Sequence, residues 1–400
     1  MVALTGSGKL QVAEVTDQRD LETYRAPWEE LLARTPQSGF FDTYEWLNTW
    51  LEFFWRERAI AFLFVYRDGS PVALLPLLMD ELGEIWCRHT LALPVNSHAT
   101  RAGLIGEIAA ADVLDAICRH LWETRQTVHL GLKSMATGSH LLPVLEEVAR
   151  VRRLKIHARL APKCPVVRLN GNWKAYLASR SKHIRSEIRR KRRKIERAGA
   201  VQWRIVASAE DSRAAMDDIL HIEQRSWKEA NGSSLTAVRG LADFYNTLSL
   251  RCAERGWLSH YLLYLDHVPV AHMVGMIYRD EYYALKTSFD ERYRGLSPGA
   301  VLAAYALEQA FAQRLRVFDF LGVPSRWKDE LANDVRGHVS WCLFEGAHYR
   351  CRMCACYHER MKPVFKSCLP SFLLRGRKNG TDPRATAQPT PDHSEWISRN

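Results

Sequence analysis

The chain has 400 residues, of which 47% are hydrophobic and 25% charged, and its formal net charge is +11. This length exceeds what a single core of ordinary size requires, so we expect two globular domains. No stretch has the roughly 18 to 20 uninterrupted apolar residues of a membrane span, and the first residues lack the basic and apolar segments of a signal peptide. We therefore predict a soluble, cytoplasmic protein without a transmembrane segment.

The first half of the chain reads as an α/β unit. A helix is expected over residues 43–54, followed by a strand over 60–67, a turn at Asp68 and Gly69, and a second strand over 71–78. We assign residues 10–165 to an N-terminal domain built on this pattern.

Most of the positive charge lies in one segment, Arg180 to Arg197, which holds ten Arg or Lys against two Glu and so has a local excess of +8. Apolar residues fall on one face of a helix predicted over 173–198, which Asn172 would cap and Gly199 would end. Two interpretations stay open. The basic face is either simply solvated or contacts an anionic partner such as tRNA or a membrane surface. DNA reading is not expected, because no recognisable binding module surrounds the helix.

The second half of the chain has a pattern of predicted strands and turns similar to that of the first half. Strands are predicted over 257–266, 270–278 and 282–289, separated by short turns at 267–269 and 279–281. The first two match the strands of the N-terminal half at a distance of about 200 residues, which suggests a degenerate internal repeat. We assign residues 166–365 to a C-terminal domain and predict that the polar tail 371–400 is disordered.

A loop rich in glycine follows the last of these strands and precedes a helix with an apolar face. Ser297 suits the N-cap and Pro298 the first helical position, so helix entry explains both. Gly295 and Gly299 would leave main-chain N–H groups uncovered at a helix N-terminus, which favours phosphate binding. The candidate ligand-binding residues of this loop are Arg292, Arg294, Gly295, Leu296, Ser297, Pro298, Gly299 and Ala300.

Nine cysteines, mostly scattered, are expected to be reduced thiols. One cluster, HYRCRMCACYH at 348–358, offers Cys351, Cys354 and Cys356 but lacks a second C-x-x-C pair. We therefore predict no metal site.

Five segments, in this order, resemble the GNAT acyltransferase superfamily and more closely its CelD/BcsL branch. They are WKAYLASRSKHIRSEIRRKRRKIERAG, EQRSWKEANGSS, ALKTSFDERYRGLSPGAVL, FDFLGV and RWKDE, and they span roughly residues 170 to 345. That branch is related to the Fem-type peptidyltransferases, which pair two GNAT-like units. The resemblance implies a tandem GNAT-like α/β fold with mixed central sheets flanked by helices.

The resemblance also implies a reaction, the transfer of an acetyl or other acyl group from acyl-CoA to an amine or hydroxyl. The acceptor it implies is a sugar or an exopolysaccharide or cell-envelope precursor. The loop departs from the common GNAT pattern because additional residues precede Gly299, which leaves the donor open. A Fem-like transferase that uses aminoacyl-tRNA is one alternative, and a non-catalytic module that binds an anionic polymer through residues 189–194 is another.

By the same resemblance, the strand 284–289 would offer a main-chain N–H to the thioester oxygen. Lys328 would stabilise developing negative charge, and Asp319 would orient or deprotonate the acceptor, unless these are an ordinary surface lysine and a solvated carboxylate. Glu223 is a further catalytic candidate, with Trp227 and Lys286 as substrate contacts. His260 and His272 are either bases or satisfied core histidines.

Overall fold

The protein is described here by a computed structural model covering residues 9–79, 90–99, 101–107, 110–127, 129–137, 141–322 and 324–345. The strands are β1 (Leu10–Val15), β2 (Ile60–Arg67), β3 (Ser70–Met79), β4 (Thr90–Ala92), β5 (Ile105–Gly106), β6 (His129–Ala136), β7 (Leu154–Arg168), β8 (Val201–Val206), β9 (His260–Leu265), β10 (Val268–Tyr278), β11 (Glu281–Phe289), β12 (Val317–Asp319) and β13 (Asp334–Glu345). The helices are α1 (Arg25–Arg34), α2 (Tyr44–Phe54), α3 (Ala111–Arg119), α4 (Leu141–Val151), α5 (Trp173–Ser179), α6 (Lys182–Ala198), α7 (Ala209–Gln224), α8 (Trp227–Ala230), α9 (Leu241–Glu254), α10 (Pro298–Ala312) and α11 (Arg326–Leu331). The cysteine cluster and the predicted disordered tail lie outside the described residues.

The chain forms two compact units that are not two consecutive halves. Unit 1 takes the described parts of residues 1–36, 59–161 and 339–400, and unit 2 takes 37–58 and 162–338. Residues 37–58 belong to unit 2 because α2 packs against α9. The boundary drawn from the sequence at residues 165 and 166 falls within β7, close to where the chain passes into unit 2.

Unit 1 contains strands in the order β1, β2, β3, β4, β6, with β4 and β6 parallel and the other pairs antiparallel. One face of β2 is aromatic, since Phe62 and Phe64 pack against Trp28 of α1. The other face carries the aliphatic core, which α3 and α4 complete. Both faces are therefore covered, as the uniformly buried strands require.

Unit 2 contains strands in the order β7, β12, β11, β10, β9, β8, with β11 and β12 parallel. Helix α10 packs on one face, with α5 and α6 beside it, and α7 packs on β10 with α9 beside it. The α10 side is an apolar core that includes Tyr261, Leu263, Met273 and Tyr282. Because side chains alternate along a strand, the intervening residues of β9, β10 and β11 face α7 and α9.

The hairpins β2–β3 and β9–β10 share one register, which supports the predicted internal repeat. Each turns on two residues with positive φ, Asp68–Gly69 and Asp266–His267. Tyr66 pairs with Pro71 and Val65 with Ala73, and in unit 2 Tyr264 pairs with Pro269 and Leu263 with Ala271. One valine, Val72 or Val270, is therefore bulged at the same place in each hairpin. The turn predicted at 267–269 lies one residue earlier, at Asp266–His267, because Pro269 lies inside β10.

The basic segment is interrupted, whereas the sequence predicted one continuous helix. Asn172 caps α5 as expected, its side chain accepting from the N–H of Ala175 at 2.9 Å. The backbone of Arg180 is extended, and Ser181 then starts α6 by accepting from the N–H of Ile184 at 3.2 Å. Helix α6 ends at Gly199, where the Asp266 carboxylate leaves no room for a Cβ atom.

Within the described residues, no helix is both long enough and apolar enough to cross a membrane.

Candidate active site

The parallel strands β11 and β12 pair over only three residues and then separate. Glu281 to Tyr283 pair with Val317 to Asp319, after which β12 ends and β11 continues to Phe289. Leu285 is bulged out of the pairing with β10, since Val274 pairs with Lys286 and Gly275 with Ala284. The second half of β11 therefore borders a gap on the side that β12 would otherwise occupy, and we call this opening the β11 gap.

Main-chain groups of β11 face the β11 gap. The N–H of Asp290 donates to the carbonyl of Val270 at 2.9 Å, which fixes the alternation of hydrogen-bonded and non-hydrogen-bonded pairs between β10 and β11. Thr287, opposite Met273, is a non-hydrogen-bonded position by this alternation, so its N–H and C=O point away from β10. The ammonium of Lys228 donates to the carbonyl of Thr287 at 2.7 Å, which agrees with this direction.

Glu223 lies at the centre of a buried polar cluster on the face of β10 that α7 covers. Its side chain is fully buried and accepts from the imidazole Nε2 of His272 at 2.9 Å and from Lys228 Nζ at 3.4 Å. The main-chain N–H of Leu235 donates to its other oxygen at 3.0 Å. Burial alone would raise the pKa of Glu223, but these donors together hold it below its usual value, so the group is a carboxylate.

His272 is neutral in this cluster. Burial lowers its pKa, and its Nε2 must carry the proton because it donates to a carboxylate. Its Nδ1 is therefore an acceptor, and it has no hydrogen-bond partner within the described structure. Ser288, directly opposite on β11, likewise has a buried hydroxyl without a partner there.

Lys286 lies on the same face, two residues before Ser288. Burial and the neighbouring Lys228 lower its pKa to about 8, against the opposing effect of Glu223. Its ammonium lies 6.0 Å from the ring centre of Tyr245 on α9. Among the described residues, Lys286 has no hydrogen bond and no ion pair.

His260, the other histidine of these strands, is a satisfied core residue. Its Nε2 lies 2.9 Å from the hydroxyl of Ser249, and Nδ1 lies 3.2 Å from main-chain atoms of Gly275. Burial lowers its pKa to about 4. It is neutral and enclosed, which favours the structural interpretation over that of a base.

The glycine-rich loop begins in a short 3-10 turn, Glu291–Leu296, directly after β11. Asp290 is buried and accepts from the main chain and the guanidinium of Arg292, and Arg294 pairs with Glu291 at 2.5 Å. Burial would raise the pKa of Asp290, but the bonds from Arg292 lower it. Both arginines stay more than half exposed and can reach a ligand at the loop.

Pro298 starts α10 as predicted, whereas Ser297 does not cap it through its side chain. The backbone of Ser297 is left-handed, with φ at 56°, and its hydroxyl makes no capping bond. Side-chain capping uses an extended backbone at this position, which explains the difference.

The two glycines of the loop serve different purposes. A Cβ atom on Gly295 would meet nothing within 4 Å, whereas one on Gly299 would lie 3.2 Å from Phe289 Cδ1. Gly299 is thus needed for close packing of α10 on β11, and Gly295 leaves open space in front of the loop. Lys194 of α6 donates to the carbonyl of Gly295 at 2.7 Å, which brings the basic helix to the loop.

The end of β12 holds the two remaining candidates. Asp319 is fully buried; it accepts from the N–H of Leu321 at 2.9 Å and from Arg336 at 3.0 Å. Lys328 donates to the carbonyl of Leu321 at 2.7 Å, and burial lowers its pKa. Lys228 also lies near enough to lower the pKa of Lys328, so both lysines are close to the β11 gap.

The structure thus gathers Glu223 and Lys286 on one side of the β11 gap and places Lys328 and Asp319 at the end of β12. Trp227 is 46% exposed and has no part in the buried cluster. Sequence reasoning missed Lys228, the residue next to Trp227 in the motif EQRSWKEANGSS. The only signal would have been a lysine in a motif otherwise rich in candidate site residues.

A groove on the other face of unit 2 has a cavity volume of about 140 Å³. It lies between α5, α6, α10 and α11 and includes Ala300 of the loop, with Trp173, Trp203, Tyr305 and Trp327 among its aromatic residues. Among the described residues no group of three or more His, Cys, Asp or Glu side chains is arranged to hold a metal ion.

Part of unit 2 matches a known family model. Residues 182–329 match the model of the acetyltransferase (GNAT) domain. The matched range contains α6, the buried cluster, β11, the glycine-rich loop and Lys328. No curated protein sequence matches the chain significantly.

Several solved structures share the fold across most of both chains. FemX has 10% identity and a TM-score of 0.55, with 83% of this chain and 96% of that chain covered. The C-terminal domain of an Agrobacterium fabrum protein, provisionally assigned as a lysylphosphatidylglycerol synthetase, has 10% identity, a TM-score of 0.54 and coverage of 84% and 96%. The L-PGS structure from Bacillus licheniformis has 11% identity, a TM-score of 0.52 and coverage of 82% and 94%. The chain thus has the predicted tandem GNAT-like α/β fold, and its residues 182–329 match the acetyltransferase (GNAT) domain model.

Proposed function

We propose that unit 2 transfers an acyl group from acyl-CoA to an amine or hydroxyl at the β11 gap. The observation that carries the proposal is the continuity of three features. The uncovered edge of β11 leads directly into the glycine-rich loop, and the loop leads into the N-terminus of α10. Main-chain groups along the edge can hold the amide-containing arm of the donor, and the helix N-terminus suits its pyrophosphate.

The residues present fit such a donor. Gly295 leaves open space in front of the loop, and Arg292, Arg294 and Lys194 supply cationic groups around it. A main-chain N–H of β11 at the β11 gap would stabilise the thioester oxygen as it becomes negative. Lys328 would add positive charge at the opposite side of the gap. Coenzyme A supplies the activated thioester, and the residues of this chain position it.

The acceptor would approach from the side of α7 and α8, where the buried polar cluster lies. Glu223 has three donors, so its role in the proposal is to orient His272 and Lys228. Asp319 is engaged by Leu321 and Arg336, which favours anchoring the end of β12 over proton abstraction. Trp227, exposed beside Lys228, would contact the acceptor. The resemblance to the CelD/BcsL branch supports a sugar or an exopolysaccharide precursor.

The donor can be tested by isothermal titration of acetyl-CoA into the wild type and two loop variants. Gly295→Trp projects into open space, so it should fold normally and abolish binding. Gly299→Trp should also lose binding but would be destabilised by the clash with Phe289. Absence of acetyl-CoA binding to the wild-type protein would overturn acyl-CoA as donor. A panel of amino sugars, with release of free thiol as the readout, then identifies the acceptor class.

Aminoacyl-tRNA is the second candidate donor, and the contact between Lys194 and the loop favours it. Helix α6 carries its positive charge directly beside the donor loop, and Arg189 and Arg193 are exposed and form no ion pair within the described structure. These two residues could contact a tRNA backbone. The double variant R189E/R193E should then weaken tRNA binding at least tenfold and reduce its salt dependence. Salt-independent or unchanged binding would remove this candidate.

A further inference from the structure

Lys286 occupies an unusual position for a lysine. Its side chain is only partly exposed on the face of β10 and β11 that α7, α8 and α9 cover, and it finds no anionic partner there among the described residues. The groups that face it are Glu223, Lys228, Tyr245 and His272. A partly buried ammonium beside a second cation and without a counter-charge is destabilised, so Lys286 loses its proton more readily than an exposed lysine does.

Glu223, the one carboxylate near Lys286 in the described part of the chain, cannot serve as its partner. Glu223 already accepts from His272, Lys228 and the main chain of Leu235. Lys228, a second cation, lies between Glu223 and the carbonyl of Thr287. The cluster thus neutralises one lysine and leaves the other without a counter-charge.

Lys286 is also close to the place of reaction. It directly precedes Thr287, whose main chain faces the β11 gap, and it follows the bulged residue Leu285. Lys228 bridges the cluster and the gap, with one ammonium in contact with both Glu223 and Thr287. A substrate group that enters the gap from the α7 side therefore meets the Lys286 side chain.

We infer that Lys286 is the general base of the reaction, accepting the proton of the acceptor at its uncharged Nζ, and that Lys228 and Glu223 are positioning residues that set its charge. The inference rests on the acyl transfer proposed above. It assigns to Lys286 a role in proton transfer in addition to substrate contact.

The nitrogen or oxygen of the acceptor forms a bond to the thioester carbonyl carbon, and its N–H or O–H bond breaks as the proton passes to Lys286. The carbon–sulfur bond then breaks and the thiolate leaves. The Lys286 ammonium returns the proton to that thiolate, so the enzyme regains its starting state.

The test combines a titration that needs no activity with a pH profile of turnover. NMR of the protein labelled with ¹³C-lysine follows the Cε signal of Lys286, identified by its loss in Lys286→Arg. We expect this signal to titrate near pH 8, and kcat/KM with acetyl-CoA and one fixed acceptor to rise with pH through the same value. A titration near 10.5, the ordinary value for lysine, would overturn the inference.

The charge variants predict opposite shifts. Lys228→Gln removes a neighbouring positive charge, so the pH at which kcat/KM rises should increase. Glu223→Gln removes a negative charge, so that pH should decrease. If the two residues were merely structural, both variants would have a lower kcat at every pH and an unchanged pH dependence. That result would contradict the positioning roles of Lys228 and Glu223.

Lys286→Arg and Lys286→Met should both lose activity by 10²- to 10⁴-fold, because neither side chain can accept the proton at neutral pH. Both should still bind acetyl-CoA, which shows that they are folded, and Lys174→Met on the exposed face of α5 should behave as wild type. An active Lys286→Arg would overturn the base and favour an anion-binding role, with the proposed function intact. A wild-type protein that neither binds nor uses acyl-CoA would overturn both.

Discussion

The hairpins β2–β3 and β9–β10 have the same register, the same two-residue turn and the same bulge after a proline, yet their buried faces differ. Where unit 1 has Phe62 and Leu74, unit 2 has His260 and His272. All four side chains are fully buried. The apolar pair packs beneath α1, and the polar pair leads to Glu223, Lys228 and Lys286. The two hairpins thus share a scaffold, and polar residues on one buried face distinguish unit 2 from unit 1.

The largest effect is expected from removing the carboxylate at the centre of the polar face. Glu223→Ala leaves the N–H of His272 buried without an acceptor and the ammonium of Lys228 without its carboxylate, so the free energy of unfolding should fall by about 3 to 5 kcal/mol. Urea denaturation measures it. The control is Glu52→Ala, which breaks the half-exposed pair with Arg251 and should cost less than about 1 kcal/mol. Equal costs would show that the cluster is not a specialised feature of unit 2.

Transplanting the polar residue into unit 1 should be harmful without its partners. Leu74→His buries an imidazole against aromatic and aliphatic neighbours, and we expect a loss of about 2 to 3 kcal/mol in the free energy of unfolding. Leu74→Met, which conserves volume, should cost less than about 1.5 kcal/mol. Should Leu74→His be tolerated as well as Leu74→Met, the apolar face of unit 1 would not be the distinguishing feature we describe.

Acid should destabilise unit 2 through its buried histidines. The pKa of His260 is about 4 in the folded protein and about 6.5 in the unfolded chain. The unfolded chain therefore binds more protons between these values, so stability is complete above pH 6.5 and falls with decreasing pH. Between pH 6.5 and 5 we expect a loss of roughly 2 kcal/mol from this residue. His260→Phe, which restores the residue of unit 1, should remove that part of the slope in urea titrations at each pH.

The smallest effect on stability separates the two glycines of the donor loop. Gly299→Ala should cost about 1 kcal/mol or less, because the new methyl group presses on Phe289 at 3.2 Å. Gly295→Ala meets open space and should leave the melting temperature unchanged within about 1 °C. A larger loss for Gly295→Ala would mean that the loop is packed and not open to a ligand.

Local patterns gave much of the fold in advance. Asn172 caps α5 as expected, and Thr43, the first residue of the helix predicted over 43–54, caps α2. The strands of both hairpins follow from their apolar runs and turns. These features depend on residues within a few positions of one another, which is why periodicity and capping rules find them.

The site was only partly predictable, because its contacts join distant segments. Glu223 and His272 are 49 residues apart, and Lys228 reaches the carbonyl of Thr287 across 59 residues. Apart from its place in the motif EQRSWKEANGSS, nothing in the sequence near Lys228 distinguishes it from a surface lysine. Two further features were not predicted, for a related reason. Local rules predicted a continuous helix across Arg180, where the helix is interrupted, and a side-chain cap at Ser297, where the backbone is left-handed.

The most direct test of the account is hydrogen exchange, measured by mass spectrometry with and without acetyl-CoA. We predict slower exchange in unit 2 over the second half of β11, the donor loop and the first turn of α10, and unchanged exchange in the matching hairpin β2–β3 of unit 1. Protection in β2–β3, or no protection in either unit at saturating acetyl-CoA, would contradict it.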